Sequence, residues 1–424
     1  MTTAPSVALP PTAISTARSL APDLARGAML LLIALANAPW YLWASDTRNL
    51  STHPVDPSPL DALAQTISLI AIDGRTYPMF AFLFGYGIWQ LYSRQMAGGV
   101  SRREARRLLR RRHWWMLAFG LVHAALLWMG DIIGAYGLAG LVLTWLFLDR
   151  KDVTLKVWAI VLTSLLGLGA IFAAIGGIFV TQLGAMEADT AFVLGDSRES
   201  IQQTNYALSA VSRVQVWALI TPGQALIGLT VPIAILLAIL AARHRVLENP
   251  VDHLRLLRIT AVVGLVLGWG TGVFIAAQNL NLLGVPAEVD WAFLGAQGVS
   301  GLMCGVGYVA LFGLIAARIQ KRGGQGRIAY ALQAVGKRSL SSYLAQSVIM
   351  APVLSAWGLG LGALLTSGTV ALFAIATWSV TVALAVMLER RGKRGPAEWL
   401  LRKLAYPTQP LRPRELKKMK PLST

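Results

Sequence analysis

Among 424 residues there are five histidines and one cysteine, so acid–base or metal chemistry has few places to reside. The sharpest is His123 in the run GLVHAALLWMGDIIGAYGLAG, with Asp131 eight residues further on. His123 falls in an apolar segment, where an ionisable group costs ~2.5–3.5 kcal/mol or more unless it has a partner or a task. A histidine about two helical turns below a Gly-Asp tip can pair with that carboxylate and serve as a general base. It can equally bond a carbonyl or Tyr136 and hold helices together. His53, before Pro54 in a polar stretch, is a second candidate base, in a setting where most histidines are simply solvated. Arg26 and Asn37 are eleven residues apart and share one helical face, with Asp23 three residues before the arginine and in reach of it. Those three, with Arg75, Tyr343 and Gln346, are the candidate substrate-binding side chains. Each has a plainer role open to it: an ion pair for Asp23 with Arg26 or Arg75 with Asp73, and helix-to-helix hydrogen bonds for Asn37, Tyr343 and Gln346. Seven arginines lie between Arg102 and Arg112. Such a run anchors topology, and Arg106, Arg107 and Arg110 would also suit a phosphorylated cofactor. No metal site is expected: Cys304 alone gives neither an intramolecular disulfide nor a thiolate cluster, and HExxH is missing. Walker A, GxSxG and dinucleotide fingerprints are missing too, which leaves ATPase and common hydrolase chemistry unsupported.

The elements that must position these residues are membrane helices. The chain is 55% hydrophobic and 14% charged, against about 25% charged in soluble domains, and its mean hydropathy is +0.57. An all-α polytopic transmembrane bundle is therefore expected. Ten spans can be drawn, near Leu24–Trp43, Tyr77–Tyr92, Trp114–Met129, Ile132–Leu148, Leu155–Val180, Val214–Ala242, Ile259–Gln278, Trp291–Ala317, a ninth ending at Trp357, and Leu365–Leu388. Residues 1–22 read as a disordered leader, 23–388 as the bundle and 389–424 as a basic amphipathic tail. Outer loops fall at 46–75 and 183–213, the first holding a short apolar piece, Ala62–Ile72, suited to an interfacial or re-entrant helix. Ser101 with Glu104 predicts a capping box. Gly264/Gly268 and Gly301/Gly305 predict close helix packing. The third span is short, so the Gly130-Asp131 tip is expected to be recessed.

Orientation follows from charge. With ten alternating spans and the N-terminus inside, the outer segments hold only Arg48, Arg75, Arg198 and Arg213, leaving 34 of 38 basic residues inside, while acidic residues divide 11 outside to 9 inside. That asymmetry belongs to Lys and Arg alone, as the positive-inside rule requires, and it puts both termini in the cytoplasm. The charge of +18 then points to a bilayer with anionic phospholipids on its inner face rather than to nucleic acid.

Five blocks in order, PDLARGAMLLLIALAN, RTYPMFAFLFGYGI, RRHWWMLAFGLVHAALLWMGDIIGAYGLAG, VGKRSLSSYLAQS and RGPAEWLLRKLAY, resemble the YeiB family of bacterial membrane proteins, a domain-of-unknown-function family. More distantly, the first span resembles that of transmembrane acyltransferases of the heparan glucosaminide N-acetyltransferase and O-antigen acetylase types. The likeness lies in Arg26-Gly27-Ala28 and a polar residue eleven positions after the arginine, Asn37 here. The resemblance implies a bacterial inner-membrane enzyme that passes an acyl group from cytosolic acyl-CoA, such as acetyl-CoA, to an envelope glycan or lipid. The heparan type carries its catalytic histidine in the outer loop after the first span, where this chain has His53. Two other readings stand beside it: a proton-coupled exporter using His123 and Asp131, and a non-catalytic envelope protein.

Overall fold

The computed structural model describes residues 19–47, 51–55, 57–183 and 198–406. It is an all-helical bundle, and the membrane-protein class read from composition holds. Of the leader, residues 1–18 lie outside the described residues, and 19–22 are not leader: helix α1 (Leu20–Asn37) begins at Leu20 and carries Asp23 in its first turn. Next come α2 (Pro59–Ala71) and α3 (Thr76–Ala97). The hairpin is α4 (Arg102–Leu126) and α5 (Ile132–Phe147), followed by α6 (Asp152–Leu183). Then follow α7 (Tyr206–Pro222), α8 (Thr230–Arg243), α9 (Leu254–Asn279) and α10 (Trp291–Arg322). The chain continues with α11 (Arg327–Gly336), α12 (Ser339–Leu354), α13 (Ser367–Arg390) and α14 (Pro396–Ala405).

All ten expected spans are helical, but they differ in length and apolarity. Among the described residues, six helices are long and apolar enough by themselves, or seven if the bent pair α7–α8 is one span. The remaining segments are α4, whose first half is arginine-rich, and α5 and α12, at 16 residues each. Sixteen residues rise only ~24 Å against a hydrocarbon core of ~30 Å. Three expectations change. The apolar piece at 62–72 belongs to α2, which runs on through the turn at Asp73-Gly74 so that Pro59–Ala97 forms one 39-residue helical column. The sixth span is bent by 47°, at a π turn over Gly223–Ile227 followed by Leu229 at φ 59°. The loop drawn to 213 ends earlier: α7 starts at Tyr206 and takes Arg213 into the bundle, while Glu187, Asp189 and Asp196 lie outside the described residues.

The centre is α8, apolar on every side and buried from Thr230 to Leu240 apart from Leu237, as a helix enclosed by others must be. It packs on α3, and α3 packs in turn on α1 and α10. The outside is α6 and α9, which turn Ile160, Phe172, Phe179, Val262, Val266 and Phe274 outward as a lipid-facing surface. Gly264 sits against Gly307, and Gly268 against Cys304, so α9 and α10 meet at the small-residue seam the spacing predicted. At the arginine-rich end Ser101 and Glu104 make the expected capping box. Those bonds draw the Glu104 carboxyl below its usual range.

Candidate functional site

The hairpin α4–α5 positions the first pair of groups. Asp131 is the N-cap of α5: its Oδ2 accepts from the Gly134 amide at 2.6 Å, satisfying one of the free donors of the helix start. Its Oδ1 lies 2.8 Å from Nδ1 of His123, and neither side chain is more than 1% exposed. A carboxylate only accepts, so in the neutral ring Nδ1 carries the proton and Nε2 of His123 is a bare lone pair; that atom has no partner among the described residues. The indole of Trp217 donates to Oδ2 at 3.4 Å, and the Tyr343 ring stands edge-on to the imidazole with centroids 5.3 Å apart. The hairpin closes this tightly because residue 120 is glycine: a Cβ there would collide with Asp131 Oδ2 and the Gly134 backbone. Arg213, fully buried on α7, donates to the carbonyls of Ala124 (3.1 Å) and Ala125 (2.8 Å) and so clamps the end of α4.

A second pair lies above α3. Nε2 of His53 is 2.8 Å from Asp73 Oδ2, with His53 2% exposed. The same argument leaves Nδ1 of His53 a bare acceptor, again without a partner. Asp73 Oδ1 accepts from Ser68 Oγ at 3.1 Å, and the Ser51 hydroxyl accepts from the His53 amide at 3.2 Å while donating to Asn279 at 2.7 Å.

Two cavities approach the middle of the bundle from opposite ends. The one at the arginine-rich end, about 450 Å³, is apolar in its depth (Met29, Phe80, Leu83, Phe84, Ile133, Tyr343) and basic around it (Arg26, Arg94, Arg112, Lys337, Arg394, Arg402). The one at the hairpin-tip end, about 440 Å³, is lined by His53, Asp73, Asn37, several amides and the aromatics Trp40, Tyr77, Trp128 and Phe293. Their walls nearly touch. Met29 faces one and Ile33 the other, Phe80 one and Tyr77 the other, and the neighbours Ile133 and Ile132 divide likewise. At 1.5 Å rise per residue that septum is about one helical turn thick.

Residues 241–408, which run from the end of α8 past α14, match the family described as a protein of unknown function (DUF418). Over a greater length the chain is similar to the uncharacterized protein YxaH of Bacillus subtilis (strain 168), 26% identical over 361 residues, covering 82% of this chain and 83% of that protein. It is similar also to the uncharacterized protein YeiB of Escherichia coli (strain K12), 26% identical over 334 residues, covering 77% of this chain and 80% of the relative. Together these matches support a YeiB-like family. No solved structure matches the chain. The family resemblance read from the five sequence blocks thus holds, and the acyltransferase likeness is not shown by these matches.

The structure brings the sequence candidates together unevenly. Asp23 and Arg26 pair at 3.4 Å on α1, with Arg26 also donating to the Leu83 carbonyl at 2.9 Å, and both line the basic-end cavity along with Tyr343. Asn37 and His53 line the tip-end cavity. His123 and Asp131 line neither and are sealed at the septum. Gln346 donates to the Leu30 carbonyl at 3.0 Å and ties α12 to α1. Arg75 is buried on the carbonyls of Asp73 and Gly268, away from both cavities and without an ion pair to the Asp73 carboxylate, because that carboxylate is taken by His53 and Ser68. Arg106 pairs with Asp149 at 2.9 Å, and Arg107 and Arg110 are exposed; none of the three lines the basic-end cavity. Six other groups named above supply its charge. Arg394 and Arg402 come from the tail, where α14 packs on α4 and forms part of the cavity wall. Glu398 of α14 also caps α12 by accepting from the amides of Leu340 (2.8 Å) and Ser341 (3.1 Å). Sequence reasoning missed Asp73 as the partner of His53, and the amides Gln278, Asn279 and Gln297; only the polarity of Gln278 and Asn279 at the end of an apolar span hinted at them.

Proposed function

We propose that this chain is a membrane acyltransferase that takes an acyl group from a cytosolic acyl-CoA at the basic end and passes it to a hydroxyl or amine of an envelope glycan or lipid at the tip end. In this reading the membrane is the bacterial plasma membrane, the basic end is cytoplasmic, and anionic phospholipids meet the exposed arginines there. The observation that carries the proposal is the pair of opposed cavities separated by about one helical turn, the tip-end one lined by a histidine whose Nδ1 has no partner among the described residues. The donor fits the residues present: a basic rim suits the phosphates, and the apolar depth suits the arm bearing the thioester. His53 is the general base. When the septum opens and the thioester carbonyl meets the acceptor, the acceptor oxygen or nitrogen forms its bond to the acyl carbon, its proton passes to Nδ1 of His53, the C–S bond breaks and the thiolate leaves on the basic side. Asp73 orients the ring and stabilises the imidazolium that results. His123 with Asp131 holds the septum.

The test is acetylation of surface glycans and lipids by membranes that contain the wild-type chain, His53→Ala, His123→Ala or Asp131→Asn, supplied with labelled acetyl-CoA. Loss in His53→Ala with the protein still inserted supports the proposal; undiminished transfer by all three variants would sink it. A proton-coupled exporter is the second reading, favoured by the sealed His123–Asp131 pair between two cavities and the break between α7 and α8, a geometry used in alternating access. Flux that follows a pH gradient in proteoliposomes without any acyl donor would favour it instead.

A further inference from the structure

The tip-end cavity specifies the kind of ligand it can take. Three buried atoms of lining residues have no hydrogen-bond partner among the described residues: Nδ1 of His53, Oε1 of Gln278 and the indole Nε1 of Trp128, whose N–H a hydroxyl oxygen can accept. His53 and Gln278 are only 2% and 4% exposed. The His53 and Gln278 atoms are acceptors. His53 spends its ring proton on Asp73. Gln278 spends both amide hydrogens, on the Val285 carbonyl and on Asp290 Oδ1, each at 3.0 Å, and those two acceptors fix which end of the amide is oxygen. Buried acceptors are expensive to leave unmet, so an occupant that supplies donors is favoured.

Charge narrows the occupant further. Asp73 and Asp290 line the cavity, and among the described residues no lysine or arginine does. A phosphate or carboxylate there would face two carboxylates and two lone pairs with no counter-charge. A neutral ligand with several hydroxyls meets every one of those acceptors. The aromatic lining, Trp40, Tyr77 and Phe293 among it, offers apolar surface for the C–H side of a sugar ring.

We infer that the tip-end cavity is a binding site for a neutral sugar, whose hydroxyls donate to His53 Nδ1 and Gln278 Oε1. The inference rests on the reading of this cavity as the acceptor side, and it selects a glycan over a lipid acceptor. One of the two sugar hydroxyls, the one on His53, is then the group placed for proton removal.

The experiment uses the full chain in nanodiscs of zwitterionic lipid, prepared without maltoside or glucoside detergents because those are themselves glycosides. Methyl glucoside, methyl N-acetylglucosaminide and glucose 6-phosphate are titrated by calorimetry with no acyl donor present. Saturable binding of at least one glycoside is expected, with glucose 6-phosphate at least tenfold weaker. Gln278→Leu should weaken the glycoside at least tenfold. Gln297→Ala, at a partly exposed position of α10 that rests on the Gly74 turn, should weaken it severalfold. Glucose 6-phosphate binding as tightly as the glycosides would overturn the inference, as would the lack of any saturable glycoside signal. A glycoside that binds but is never acylated when acetyl-CoA is added would leave this site standing and remove the transferase reading. Acylation of a lipid amine with no glycoside bound would do the reverse.

Discussion

The two histidine–carboxylate pairs have the same bond length and opposite access. His123–Asp131 and His53–Asp73 each close at 2.8 Å and each leave one imidazole nitrogen a bare acceptor. The first is sealed between α4, α5 and α12; the second opens on a cavity. Identical chemistry therefore has different consequences: a sealed pair can only hold structure or wait for a rearrangement, whereas an open one can receive a proton from a ligand. The cost of a buried, unpaired lone pair, ~1–3 kcal/mol, falls on the packed state in the first case and can be offset by binding in the second.

The sharpest way to break this contrast is to exchange the losses. His53→Ala should cut acyl transfer by about 10²–10⁴-fold, the usual worth of a general base, while its thermal unfolding midpoint stays close to wild type; an unchanged rate would remove His53 from the chemistry. His123→Leu should act the other way. It leaves a carboxylate buried without its partner, at about 3–5 kcal/mol, so the unfolding midpoint in nanodiscs should fall well below wild type. Adding Asp131→Asn to that variant removes the orphaned charge and should restore part of the loss, which a double-mutant cycle would read out. Gly120→Ala tests the packing that seals the first pair: its methyl overlaps Asp131 and Gly134, for about 1–3 kcal/mol of overpacking, and midpoints matching wild type would show that the hairpin can spread. The smallest effect belongs to the rim. Lys337→Ala or Arg402→Ala should raise the KM for acyl-CoA a few-fold with kcat nearly unchanged, and the difference should shrink as salt is raised.

How far the sequence could be read follows the same division. His123 and Asp131 lie eight residues apart across one tight hairpin, so helix pitch alone brings them close. Asp73 was legible only as a neighbour of Arg75. Sequence proximity suggested that ion pair, but the guanidinium turns to the carbonyls of Asp73 and Gly268, and the carboxylate goes to a histidine twenty residues back. The arginine run before the third span marked the basic end correctly as a region. It misplaced the charges that face the cavity, because residues on one helix spread around its whole circumference and only Arg112 of α4 points in. Gln278 closes an apolar span and looks like an interfacial residue; its role emerges only when the turn to Asp290 folds back on it. Periodicity and length found the helices. The break at Gly223–Ile227 escaped both, since an apolar run reads the same whether its backbone is straight or bent.

The tail helix has a consequence for how the protein is made. Synthesis runs from the N-terminus, and the helices before α12 can enter the bilayer and pack while translation continues. The amides of Leu340 and Ser341 nevertheless wait for Glu398, and one wall of the basic-end cavity waits for Leu401 and Arg402. A ribosome stalled before residue 398 would therefore hold an inserted bundle whose basic-end cavity is still open on one side. Completion of that cavity is a late event in the life of each chain, timed by the ribosome and not by the membrane.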